Sequence, residues 1–213
     1  MGFCLFNNAA VAAHWATAEG GAGRVAILDL DVHHGNGTQE IFYRRPDVLY
    51  FSTHQFPFYP GSGRADETGA DAGTGSTVNV PMAAGTGDEA FGVAMERVMA
   101  PIVRRFAPDL IIVSLGFDAH WADPLAQLRL SLAGYAAMLG TVRDLAEQLC
   151  GGRMVVLLEG GYNLAVVGAG SAMVARLLAG VPAAADPLGP APLGAEPERS
   201  LQVIEAVREL HGL

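Results

Sequence analysis

Two aspartates, two histidines and a glycine-rich turn follow directly on an apolar run in the stretch Arg24 to Thr38, RVAILDLDVHHGNGT. Side chains on a strand alternate faces, so Asp29, Asp31 and His33 are expected to point one way while Leu28, Leu30 and Val32 point the other. Two carboxylates and an imidazole at the C-terminal end of a strand have the donor chemistry of a metal site, and in open parallel α/β sheets that end is where ligands bind. Gly35 and Gly37 give the chain the freedom that a tight turn needs there. Taken alone, the same run also reads as a strand followed by a polar surface turn.

Two further segments extend the first reading. Phe117-Asp118-Ala119-His120 follows the apolar run Leu110 to Gly116, and Glu159-Gly160-Gly161-Tyr162-Asn163 follows Met154 to Leu158. In a parallel sheet all these strand ends share one edge, so Asp118 can join Asp31 and His33. The result is an oxygen, oxygen, nitrogen triplet with one position open, the arrangement of catalytic rather than structural zinc. Zinc polarises a carbonyl and makes water nucleophilic, and a phenol such as Tyr162 donates to a developing oxyanion. His34 points away from His33 and reads as structural, His54 and His120 sit near strand ends, and His14 and His211 read as surface or packing residues.

The elements that must position these groups alternate. Asn7 or Asn8 caps a helix to about Ala18, with Val11 and Trp15 on one face and Gly20-Gly21 ending it. Strands are expected at Arg24 to Asp31, Val48 to His54, Thr77 to Met82, Leu110 to Gly116 and Met154 to Glu159. Helices are expected at Thr38 to Tyr43, Asp88 to Phe106, Ser131 to Cys150 and Leu164 to Gly180. This alternation predicts an α/β fold with a parallel sheet covered on both faces. Gln55 to Ser76 reads as a long functional loop. Residues 181–196 read as a Pro/Ala linker to a last helix from about Pro197 to His211, within one domain spanning 1–213.

With 213 residues, 51% hydrophobic and 16% charged, the chain has the composition of a globular domain rather than a disordered one. Its net charge is −9 and all 13 basic residues are arginine, which speaks against direct nucleic-acid binding. Apolar stretches are strand-length, so no membrane partner is expected. No signal peptide is evident, and a cytoplasmic location is the default. Cys4 and Cys150 form no CxxC pair and read as reduced, buried thiols. The oligomeric state is left open.

The segments GFCLFNNAAVAA, LDLDVHHGNGTQ, FYPGSG, VNVPM, SLGFDAHWADPLAQLRLS and LEGGYNL resemble, in order from Gly2 to about Gly180, the zinc-dependent histone deacetylase family with its bacterial acetyl-amide hydrolases. The resemblance implies an arginase-like α/β fold and one zinc ion on Asp31, His33 and Asp118. It implies that Tyr162 stabilises the oxyanion, that Gly2, Phe3 and Tyr59 line a channel for an acylated amine, and that Leu125 lies at its mouth. Asp29, Asp31, His33, Ser52 and Thr53 match a monovalent-cation site, usually potassium. Asp29 and Asn36 match groups that orient a general-base histidine pair upstream of the GFC segment.

That pair is missing, because the only adjacent histidines are His33 and His34 of the metal motif. The chain is therefore expected to be an N-terminally truncated deacetylase lacking the family's first strands, and an impaired catalyst. A catalytically silent metal-binding fragment is the alternative, and an acetylpolyamine hydrolase a further one. A dinuclear arginase-like enzyme would need carboxylates where Asn36 and His120 stand. A dehalogenase-type phosphatase, suggested by the DxD pattern, would need a lysine, and the chain has none.

Overall fold

The computed structural model describes residues 5–182 and 185–213. Its first element, α1 (Asn8–Ala18), begins where the Asn7 side chain accepts a hydrogen bond from the Ala10 amide. The face that α1 buries consists of Ala9, Ala10, Ala13 and Ala16. Val11 and Trp15, the expected apolar face, are instead 61% and 59% exposed. Alanine methyls let the helix lie close on the sheet, and the bulkier side chains are left on its outer surface.

Five parallel strands follow, β1 (Val25–Asp29), β2 (Val48–Gln55), β3 (Thr77–Met82), β4 (Leu110–Leu115) and β5 (Met154–Leu158), in the order β3-β2-β1-β4-β5. Val25 pairs with Val48 on one side and Leu110 on the other, so β1, β2 and β4 start level; Asp29 lies opposite Ser52 and Ser114, and β2 runs three residues further, to Gln55. One face of the sheet packs Val25, Ile27, Tyr50 and Ile112 against α1 and against Phe42 of α2 (Asn36–Phe42). The opposite face packs Leu28, Phe51, Val80 and Val113 into a larger core shared with α3 (Asp88–Ala94), α4 (Ala100–Phe106), α5 (Leu132–Cys150) and α6 (Leu164–Leu178). The parallel sheet with helices on both faces is thus present. β1 is buried along its whole length, whereas β5 forms an edge on which Val155 and Leu158 are 41% and 57% exposed.

Several boundaries differ from expectation for local reasons. β1 ends at Asp29 rather than Asp31, because the Asp31 amide turns back to donate to Asp29 Oδ1 at 3.3 Å. The expected helix 88–106 is divided by a π-helical segment, Met95–Met99. Pro101 follows it in the first turn of α4 and has no N–H to give the carbonyl four residues back. In the Gln55 to Ser76 loop the one regular piece is a short 3₁₀ turn, Asp71–Gly73. The described part of the 181–196 segment has neither helix nor strand but is anchored, since Trp121 Nε1 donates to the Gly189 carbonyl and Glu196 accepts from the Gly87 amide. It leads to α7 (Glu198–Leu210), whose Ile204 and Val207 enter the larger core. Cys150 is buried and free, and Cys4 lies outside the described residues. Among the described residues no helix is long and apolar enough to cross a membrane.

The packing of α1 generates a stability test. Ala13→Leu forces a larger side chain into a closed helix-sheet contact and should cost about 1–3 kcal/mol, whereas Val11→Ala should change stability by less than about 0.5 kcal/mol. Urea unfolding midpoints of the two variants check this, and a larger loss from Val11→Ala would mean that the outer face of α1 is the packed one.

Candidate metal centre and active site

Beyond Asp29 the chain bends over the ends of β1 and β4, and this bend creates the cluster. Asp31, His33 and Asp118 each offer a ligand atom, and all these atoms lie within 4.8 Å of one another. His33 Nδ1 is 3.0 Å from Asp31 Oδ1 and 3.3 Å from Asp118 Oδ2. Asp118 is fully buried, Asp31 is 8% exposed, and Asp118 Oδ2 has no hydrogen-bond partner. A ring nitrogen carries one hydrogen at most and cannot serve both carboxylates.

Backbone amides fix the carboxylates. The Val32 amide donates to Asp118 Oδ1 at 3.0 Å, the His33 amide to Asp31 Oδ1 at 2.7 Å, and the Gly160 amide to Asp31 Oδ2 at 2.9 Å. Gly116 and Gly160 stand so close to both carboxylates that a Cβ at either position would overlap their oxygens. Two buried acids share this space with one imidazole. Burial favours the neutral imidazole, but the carboxylates of Asp118 and Asp31 beside its Nδ1 outweigh it and raise the pKa of His33 to about 10. Burial raises Asp118 to about 6, with His33 opposing and the charge of Asp31 adding to the rise. The donor set therefore favours positive charge at its centre. Two carboxylates and one imidazole, with an unpartnered buried oxygen among them, suit a divalent transition-metal ion.

Asp29 does not join this cluster, which corrects the expectation that Asp29, Asp31 and His33 share one face. Its Oδ2 accepts from the Tyr50 hydroxyl at 2.9 Å, and the same hydroxyl accepts from the Gly35 amide at 3.0 Å. Alternation holds only while the strand lasts, and β1 ends at Asp29. Burial, followed by the charge of Asp31, raises the Asp29 pKa well above the usual carboxylate range. Asn36 is half-buried at the start of α2, and no hydrogen bond found among the described residues joins its side chain to the cluster. Ser52 pairs in register with Asp29, and its hydroxyl meets His54 Nδ1 at 3.0 Å. Thr53 is buried, with its hydroxyl unpartnered. Asp29, Ser52 and Thr53 thus sit at adjoining strand ends beside the bend that carries Asp31 and His33.

The long loop covers His33 on its open side. Phe58 stacks on the imidazole at 5.3 Å between centroids, and Tyr59, 56% exposed, meets it edge-on at 6.1 Å. Phe58 was not picked out from the sequence, although it lies inside the FYPGSG motif. Tyr162, 37% exposed, follows the Gly160 amide that holds Asp31, and its own amide donates to Asp123 Oδ2 at 2.8 Å. Leu125 is half exposed, and its amide donates to the other oxygen of Asp123. Gly2 and Phe3 lie outside the described residues.

The remaining histidines are engaged elsewhere. His34 meets Ser62 Oγ and Gln39 Oε1 at 2.8 and 2.9 Å, and His54 Nε2 meets the Gly63 carbonyl at 2.9 Å. His120 Nδ1 accepts from the Ala122 amide, while its Nε2 is buried without a partner. His14 is exposed and His211 buried.

Residues 1–178 match the family described as Histone deacetylase domain. The chain is 50% identical over 192 residues to Histone deacetylase-like amidohydrolase of Pseudomonas aeruginosa, covering 88% of this chain and 50% of that protein. It is 45% identical over 215 residues to the chloroplastic Histone deacetylase 10 of Oryza sativa subsp. japonica, covering all of this chain and 48% of that one. The chain thus spans about half the length of these curated relatives. Among solved structures, the HDA15 HD domain superposes with a TM-score of 0.87 at 45% identity, covering 99% of this chain and 56% of the other. The fold is that of the deacetylase domains, and the chain belongs to the histone deacetylase family.

Proposed function

We propose that this chain carries the metal-binding and oxyanion-binding part of a zinc-dependent hydrolase that removes acetyl or other acyl groups from an amine. The observation that carries the reading is the cluster of Asp31, His33 and the fully buried Asp118, with its ligand atoms within 4.8 Å, placed beside the glycine turn that presents Tyr162. Asp31, His33 and Asp118 hold the zinc, which when bound polarises the substrate carbonyl and lowers the pKa of water toward about 7. The Tyr162 phenol donates a hydrogen bond to the carbonyl oxygen as charge develops on it. Phe58 and Tyr59 flank the acyl chain at His33, and Leu125 sits at the mouth. The backbone of the β1 bend, with Asp29, Ser52 and Thr53, suits a monovalent cation such as potassium. Asn36 keeps the role of orienting a base brought from elsewhere. The prokaryotic relatives favour the cytoplasm, while Histone deacetylase 10 of rice is named chloroplastic.

A single-metal site is favoured over a dinuclear one, because Asn36 and His120 stand where additional carboxylates would be needed. Proton transfer is the weak point. Both nitrogens of His34 and of His54 are engaged in hydrogen bonds, so neither is available as a base. The catalytically silent metal-binding reading is the alternative that this observation supports.

Two substitutions test the proposal. Asp118→Ala should lower zinc affinity by more than about tenfold, the scale on which even outer groups act. Tyr162→Phe should leave zinc bound while lowering acyl-amide hydrolysis about 10²–10³-fold. Unchanged zinc content in the first variant, read by metal analysis after dialysis, would remove Asp118 from the ligand set.

Substrate choice depends on Leu125, whose neutral side chain offers nothing to a polyamine cation. Acyl-lysine-type or small acyl-amide substrates should therefore have higher kcat/KM than N-acetylated spermidine or putrescine. The opposite ranking in competition assays would overturn this reading of the mouth.

The chain alone should be a slow catalyst. Adding the N-terminal half of a homologous deacetylase, fused or as a separate polypeptide, should raise hydrolysis by at least about 10²-fold, the lower range for general acid/base catalysis. Full turnover by the 213-residue chain without it would require a base within the chain, with His120 the first suspect.

A further inference from the structure

We infer that Asp123 is the positioning residue for Tyr162, a role that rests on the proposed reading of Tyr162 as oxyanion donor. Asp123 is 7% exposed and lies in the loop that follows Asp118. Both of its oxygens are used, and both receive backbone amides from the rim of the site. Oδ2 accepts from the Tyr162 amide at 2.8 Å and Oδ1 from the Leu125 amide at 3.0 Å. The loop that holds it is itself fixed, since the Asp123 amide donates to the His120 carbonyl at 2.9 Å and the Ala122 amide to His120 Nδ1 at 3.0 Å. Asn163 completes the clamp, with its Nδ2 donating to the Ala122 carbonyl at 2.9 Å while its Oδ1 caps α6.

Tyr162 needs such a clamp because of what precedes it. Gly161 has a φ of +138°, a conformation that gives the backbone little intrinsic preference for one course. Two short links define the turn. Upstream, the Gly160 amide is tied to Asp31, and downstream, the Tyr162 amide is tied to Asp123, 39 residues earlier in the chain. Asp31 and Asp123 thus hold the two ends of one turn, one from the metal cluster and one from the loop that begins at Asp118. A charged acceptor makes the second link stronger than a neutral one, and a displacement of about 1 Å at a reacting group costs on the order of 10² in rate. Asp123 touches neither substrate nor metal in this scheme. It sets where the phenol stands, and through Leu125 it ties the mouth of the channel to the same point.

The test is a double-mutant cycle in the zinc-loaded chain with an acyl-amide substrate, joined to an NMR readout that needs neither metal nor turnover. Asp123→Asn keeps the shape and removes the charge and one acceptor. It should lower kcat by about 10–10²-fold with KM changed by less than about threefold, and it should leave zinc affinity unchanged. In a Tyr162→Phe background the same substitution should cost less than about threefold, because the phenol that it positions is gone. The Tyr162 amide proton should lose its downfield shift and its protection from exchange in metal-free Asp123→Asn. Replacing residue 162 by the α-hydroxy acid analogue of tyrosine, which deletes the N–H and keeps the phenol, should reproduce the kcat loss if Asp123→Asn does not fold.

An equal cost of Asp123→Asn in both backgrounds, or an unchanged Tyr162 amide, would overturn the inference while leaving Tyr162 as oxyanion donor. Tyr162→Phe with full activity would instead overturn that donor role, and the inference with it.

Discussion

Two carboxylates that repel each other are buried together at the C-terminal edge of the sheet, and much of the local structure serves to keep them there. Asp31 and Asp118 leave solvent at a cost that no lysine or arginine offsets at the site. Burial, with the charge of Asp31 beside it, raises the pKa of Asp118. His33 answers part of this, being held well on the protonated side of neutrality by its two acidic neighbours. The rest of the compensation comes from backbone amides, which carry partial positive charge and cannot be titrated away. Val32, His33 and Gly160 each donate one. Such an arrangement has the donor set of a cation site, two carboxylates and one imidazole gathered within 4.8 Å.

That constraint explains why glycine appears where it does. At Gly116 and Gly160 the backbone must come close enough to donate to, or pass beside, the carboxylates, and a Cβ would occupy their space. The same closeness makes the turn at Gly160-Gly161 depend on its hydrogen bonds for definition, so that Asp31 contributes to two tasks at once. It is one of the three residues whose ligand atoms lie within 4.8 Å of one another, and it holds the start of the segment bearing Tyr162. The Asp31, His33 and Asp118 cluster and the turn that bears Tyr162 are therefore mechanically joined through a single side chain, with Asp123 fixing the far end of the turn.

The parallel α/β architecture is legible from alternating apolar runs, because β-branched strands and capped helices obey local rules. The meeting of Asp31, His33 and Asp118 is legible for the same reason, since they follow strands that a parallel sheet brings to one edge. Asp29 is not, because face alternation applied through His33 runs four residues past the point where β1 ends, and only the bend shows that Tyr50 takes its carboxylate. Val11 and Trp15 misled in another way. Periodicity marks an apolar stripe, but the close approach of α1 to the sheet selects the alanine face, which no hydrophobicity pattern singles out. Asp123 lies inside the SLGFDAHWADPLAQLRLS segment, but its spacing assigns it no task, since an aspartate in a polar loop becomes informative only when its two acceptors can be traced to Leu125 and Tyr162.

The loop over His33 shows how the fold converts a long irregular connection into a fixed wall. A segment from Phe56 to Ser76 without strands would be free to move, yet its Ser62, Gly63 and Glu67 meet His34, His54 and Gln39 in a polar cluster beneath it. His34 directly follows His33 and faces the opposite way, so one dipeptide supplies an imidazole to the carboxylate cluster and a second to the anchor of the loop. Phe58 and Tyr59 are carried by that loop back onto His33. The aromatic wall is thus registered to the cluster through adjacent residues of the chain. This accounts physically for a pair of histidines of which only one joins Asp31 and Asp118.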